Sequence, residues 1–122
     1  MTIDIPTAVA RYLDLVARAT SGDQVAALYS PGATVEDPVG STVLQGSRQI
    51  AAFYDALTSR ERSAELLSVR VAGNEAAFHF RFRSGDGERT SVIEPIDVMT
   101  FDEDGLITSM RAFWSRSDVR LA

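Results

Sequence analysis

The sequence predicts an α+β fold, with helices gathered in the first half and strands in the second. Three observations carry that prediction. Up to about residue 57 the apolar residues recur at helical spacing, and beyond it they alternate with polar residues at strand spacing. Turns rich in glycine and acid separate the later segments, as in an antiparallel meander. Helical segments followed by a run of strands make an α+β domain rather than a layered parallel one. The simplest packing curls the sheet around the helices and leaves a cavity between them. Charge is evenly spread, and there is no repeat, low-complexity tract or Pro/Gly/Ser-rich linker. Residues 1–122 are therefore expected to form one domain, large enough to bury a core.

The first helix is expected over residues 7–19. Val9, Leu13 and Val16 form its apolar stripe, with Tyr12 beside them. Pro6 suits a helix start, and Ser21-Gly22 suit a stop followed by a turn. A short second helix over residues 23–29 carries Val25, Ala26, Leu28 and Tyr29. A strand over residues 33–39 follows. The third helix covers residues 47–57, with Ser47 as its N-cap and Ile50, Phe53, Tyr54 and Leu57 on its stripe. All three tyrosines thus fall on apolar helix stripes.

In the second half, Leu67, Val69 and Val71 alternate with Ser68 and Arg70. Phe78, Phe80 and Phe82 alternate with His79, Arg81 and Arg83, which is the pattern of a half-buried strand. Gly85-Asp86-Gly87 marks a hairpin turn. A long strand over residues 89–101, a turn at Asp102-Glu103-Asp104-Gly105 and a last strand over residues 106–115 complete the chain.

The census of reactive residues removes much chemistry. There is no cysteine and no lysine, so all twelve basic residues are arginine, and His79 is the single histidine. Thiol nucleophiles, thiolate or multi-histidine metal sites, lysine Schiff bases and P-loops are excluded. Seventeen carboxylates and three tyrosines remain. A net charge of −5 with no basic cluster argues against nucleic acid. No apolar run reaches the ~20 residues of a membrane span. Met1-Thr2-Ile3-Asp4-Ile5-Pro6 lacks the basic and apolar regions of a secretory signal, so a cytoplasmic location is expected.

Two acids stand out by strand phase. In Ala33-Thr34-Val35-Glu36-Asp37-Pro38-Val39, Asp37 shares a face with Ala33, Val35 and Val39, while Glu36 falls on the solvated side. Asp37 is either an acid aimed into an apolar space or a strand-end residue before Pro38. Asp97 is in phase with Ile93, Pro95, Met99 and Phe101, and no nearby arginine of that strand shares its face. An ionised carboxylate there would pay a large desolvation cost, so it is paired, neutral or at a half-exposed edge. Holding it neutral at pH 7 costs about 4 kcal/mol, at 1.36 kcal/mol per unit. Buried Tyr12, Tyr29 and Tyr54 need hydrogen-bond partners. His79 lies with Arg81 and Arg83 on the face opposite the phenylalanines, a solvated or interface position rather than a catalytic one.

Taken together the segments resemble the bacterial ketosteroid isomerases, within the nuclear-transport-factor-2-like and SnoaL-like superfamily. The matching stretches are Ala10-Arg11-Tyr12-Leu13, Ala33-Thr34-Val35-Glu36-Asp37-Pro38-Val39-Gly40, Ile50-Ala51-Ala52-Phe53-Tyr54, Pro95-Ile96-Asp97 and Met110-Arg111-Ala112-Phe113-Trp114. The resemblance implies a cone-shaped, curled antiparallel or mixed sheet around three helices, with an apolar pocket between. It implies Asp37 as general base, with Tyr12 and a protonated Asp97 as oxyanion-hole donors. Tyr54 and Tyr29 fall where the family has phenols in series behind the catalytic one. Met110 and Trp114 match pocket-lining positions, and Phe80 is placed there with them. That family is a well-known example of acids tuned apart by their surroundings. Residues 58–64 depart from the family pattern, at the expected pocket mouth.

The activity implied is migration of a steroid C5–C6 double bond into conjugation with a 3-ketone. It needs no cofactor and no metal, and the family implies a homodimer through the outer sheet face. A non-catalytic binder on the same fold, or a related hydrolase or cyclase, are the competing readings. Dehydratases that rely on paired histidines are excluded by the single histidine.

Overall fold

The computed structural model describes residues 4–122; residues 1–3 of the amino-terminal stretch read above lie outside it. Helix α1 (Ile5–Arg18) starts where Asp4 caps it, its carboxylate accepting hydrogen bonds from the Thr7 backbone N–H and hydroxyl. Val9, Tyr12, Leu13 and Val16 are buried along one face, as the spacing predicts. Helix α2 (Gly22–Ala26) is shorter than the expected 23–29 and takes in Gly22, which the sequence places in the turn before it. A Cβ on Gly22 would lie 1.9 Å from the Ala51 carbonyl oxygen, so only glycine lets α2 approach the next helix this closely.

Tyr29 is not helical. It opens strand β1 (Tyr29–Glu36), because Pro31 cannot continue a helix and holds Ser30 extended. After β2 (Leu44–Gln45) comes α3 (Ser47–Thr58). Its N-cap is Gly46 at φ 87°, not Ser47; the chain enters this helix through a left-handed residue that a serine would resist. Within the segment 58–64, Thr58 ends α3 and, after a short turn, Glu61 starts a long strand, β3 (Glu61–Ala72), which pairs antiparallel with β4 (Glu75–Gly85). The predicted strand over residues 89–101 is two strands, β5 (Thr90–Ile93) and β6 (Ile96–Phe101), broken at Pro95, which has no N–H for the ladder. Strand β7 (Ile107–Phe113), a 3-10 turn at Arg116–Asp118 and β8 (Arg120–Leu121) end the chain.

The sheet runs in the order β2-β1-β7-β6-β4-β5-β8, with β3 along the other side of β4. All pairings are antiparallel except β1 with β7, so the sheet is mixed. It curls around the three helices without closing. Phe78, Phe80, Met99, Phe101 and Met110 face the helices and bury with them. On the outer face, His79, Ile96 and Phe113 stand in one cross-strand row. Among the described residues no helix is long and apolar enough to cross a membrane.

Candidate active site

A cavity of about 440 Å³ lies between α1, α3 and the inner sheet face, within the range of sites that hold drug-sized ligands. Tyr12, Asp37, Tyr54, Phe80, Asp97 and Trp114 all line it. A larger depression of about 1270 Å³, between the start of α1 and the β6–β7 turn, shares no lining residue with it.

The register explains Asp97. It sits on β6 between Phe78 of β4 and Ala112 of β7, both apolar, and is 2% exposed. Its Oδ1 has no hydrogen-bond partner among the described residues. Burial pushes its pKa well above the ordinary carboxylate value, and the nearby charge of Asp37 pushes it further. Both effects favour the protonated form of Asp97, and its carboxyl lies on the cavity wall.

Asp37 lies one residue past the end of β1, before a cis peptide bond to Pro38, and is partly buried. Trp114 lies one residue past the end of β7. Because β1 and β7 run parallel with Glu36 opposite Arg111, the two strand ends leave the sheet side by side. The Trp114 indole N–H then donates to Asp37 Oδ1 at 2.6 Å. Burial raises the Asp37 pKa and this hydrogen bond opposes the rise. The two acids therefore differ in kind: one has a donor that favours its anion, and the other has none.

The three phenols form a continuous chain. Tyr54 Oη lies 2.9 Å from Tyr12 Oη and 2.6 Å from Tyr29 Oη. Burial raises all three pKa values well above that of free tyrosine, so each keeps its proton. Tyr12 lines the cavity and Tyr29 does not. If Tyr12 donates into the cavity, its oxygen accepts from Tyr54, which accepts from Tyr29. Bonds aligned this way strengthen one another.

Some expectations are corrected. Met110 is buried in the core at 1% exposure and is not on the cavity wall. Its strand phase points it inward, but Val35 and Met99 flank it in the ladder. Glu36 is not simply solvated: it pairs with Arg111 at 3.5 Å and accepts from the Gly40 N–H. His79 faces outward, 4.0 Å from Glu94, which also binds Arg81 and Arg120. Phe53 lines the cavity and meets the Tyr54 ring edge-on at 5.0 Å, which its place on a helical stripe alone did not single out. The Trp114–Asp37 bond was likewise invisible, since it depends on a parallel strand pair that no local pattern announces.

A family model for SnoaL-like domains matches residues 9–110. The chain belongs to the SnoaL-like family. A Steroid Delta-isomerase from Nocardioides simplex is 51% identical over 119 residues, spanning 98% of this chain and 96% of the relative. The SnoaL-like fold recurs in solved structures. The epoxide hydrolase/cyclase-like enzyme SalBIII of salinomycin pyran ring formation superposes with a TM-score of 0.89 at 24% identity, covering 97% of this chain and 95% of that one. RV0760c from Mycobacterium tuberculosis gives 0.88 at 21% identity over the whole of both chains. A computationally designed 17-OHP binder gives 0.84 at 16% identity, covering 97% and 95%. At these identities the structures establish the fold alone.

Proposed function

We propose that this chain is a steroid Δ-isomerase that moves the C5–C6 double bond of 3-oxo-Δ5-steroids into conjugation with the ketone. The observation that carries this reading is the 51% identity, over nearly the full length of both chains, to a Steroid Delta-isomerase. The cavity's chemistry supports it. Asp37, ionised and held by Trp114, takes a proton from C4. Charge moves onto the ketone oxygen as a dienolate forms. Tyr12 and neutral Asp97 donate hydrogen bonds to that oxygen, preorganised where the negative charge develops. Asp37 then delivers its proton to C6. One base serves both steps, so the reaction balances without any cofactor or metal. Phe53, Phe80 and Phe82 give the apolar walls against which a rigid ring system excludes water, which strengthens each of these contacts.

We further propose a homodimer through the outer sheet face, where Ile96 and Phe113 are exposed among the charged groups around Glu94. Mixing the protein with a β,γ-unsaturated 3-ketosteroid and following conjugated-enone absorbance tests the activity. Growth of that absorbance at catalytic protein concentration is expected. A steroid that binds without isomerising would make this a binding domain instead.

A further inference from the structure

Arg60 lies in the segment that departs from the family pattern, and it is the single cation among the residues lining the cavity. Its Nε donates to Ser84 Oγ at 2.6 Å, and Ser84, also on the wall, is 7% exposed. No described ion pair or other side-chain hydrogen bond uses its two terminal nitrogens. Asp86 feels the Arg60 charge, but its carboxylate is engaged by the Glu88 and Arg89 N–H groups. Neighbouring Arg62 is different: all three of its guanidinium nitrogens donate, to the carbonyls of Val16, Ala19, Leu57 and Arg60. In the bond with Arg60 the Ser84 oxygen is the acceptor, which leaves its hydroxyl proton free to donate.

Strand β4 measures the distance from this group to the reacting end. Phe78 stands opposite Asp97, and Ser84 stands opposite Ser91. The run from residue 78 to residue 84 is roughly 20 Å at ~3.3 Å per residue, with Phe80 and Phe82 between them on the cavity wall. A steroid with its ketone at Tyr12 and Asp97 lays its rings along those phenylalanines and aims ring D at Arg60 and Ser84. The fused nucleus is shorter than that run, so the group reaching Arg60 belongs to a ring D side chain.

We infer that Arg60 and Ser84 form a far-end subsite, and that the preferred substrates are 3-oxo-Δ5-steroids whose ring D side chain ends in a carboxylate. The inference rests on the isomerase reading for the orientation of the steroid. A guanidinium with free terminal nitrogens matches a carboxylate's two oxygens, and the chain's net charge of −5 would otherwise repel such a substrate.

Trp114 is the only tryptophan and lies on the cavity wall, so its fluorescence reports occupancy. The probes are a conjugated 3-oxo-Δ4-steroid with a carboxylate-ended side chain and the methyl ester of the same compound. Wild-type protein is expected to bind the acid roughly tenfold tighter than the ester at low salt, less so at high salt. Arg60→Gln should abolish the preference and Arg60→Lys should keep part of it. Equal affinity for acid and ester in the wild type overturns the proposal, whether or not the variants fold, and so does a preference that survives Arg60→Gln. Isomerisation of the unconjugated ester is measured separately. Turnover without acid preference defeats the subsite and leaves the isomerase reading standing. An Arg60-dependent preference with no turnover of acid or ester defeats the isomerase reading and leaves the subsite.

Discussion

Asp37 and Asp97 reach one cavity with different company, and the proposed mechanism rests on that difference. Asp37→Asn is expected to cost a factor of about 10²–10⁴ in kcat, as for a lost general base. Stopped-flow absorbance of enone formation measures it, and near-wild-type turnover would remove the base assignment. Because burial raises the Asp37 pKa, the acid limb of the kcat/KM profile should lie above the ordinary carboxylate range. Tyr12→Phe removes one oxyanion donor and should cost about 10²–10³. Asp97→Asn keeps a donor and should be milder than Asp97→Ala; equal losses would count against a donating role. Asp97 also carries a stability signature. Its folded pKa is raised, so the folded state holds a proton that the unfolded state releases, and stability falls as pH rises above the unfolded value. Relative to wild type, Asp97→Asn should therefore gain stability from about pH 4 upward, by at most about 1.4 kcal/mol per pH unit. Urea melts across that range would show it. Strand phase alone marked both acids, because a period of two is a strong local signal. It could not tell which one is charged, since Trp114 meets Asp37 across 77 residues of sequence.

The elements were legible where one face is apolar over several turns or several alternations. Helices α1 and α3 and strand β4 are of this kind. Boundaries set by a single residue's backbone were not: Tyr29 followed Pro31 into a strand, and Gly46 displaced Ser47 as the cap. Two contacts tie the helices to one another and to the sheet, and neither is a local pattern. Gly22 lets α2 touch α3, and its N–H donates to Asp55 Oδ1 at 2.6 Å. Gly22→Ala should destabilise by about 1–3 kcal/mol or more through the clash with the Ala51 carbonyl, read as a fall in the urea midpoint. Arg62 binds the carbonyls that end α1 and α3, satisfying groups that helices leave orphaned. Arg62→Ala should cost roughly 2–4 kcal/mol, also by urea melt, with the pocket mouth loosened. A cost within experimental error would show that solvent satisfies those carbonyls as well.

At the scale of the molecule, the curled sheet separates two chemistries. Its inner face and the helices build an apolar cavity containing few but specific polar groups. Its outer face carries the Glu94 network beside exposed Ile96 and Phe113. The fold class was readable because the helical and strand periods are segregated along the chain. The mixed character of the sheet was not, because the parallel β1–β7 pair joins segments from the two halves. The census of the whole sequence left only acids and phenols to do chemistry, and the structure places two of 17 acids and two phenols on one cavity wall, with the third phenol hydrogen-bonded behind them. The central claim is that one of those two acids is charged and the other neutral at pH 7. Carbon-13 NMR of protein labelled at the aspartate carboxyls tests it most directly. One protonated carboxyl resonance is predicted at neutral pH, lost in Asp97→Asn and kept in Asp37→Asn. A spectrum with no protonated aspartate, or one whose protonated signal vanishes in Asp37→Asn instead, would contradict the account.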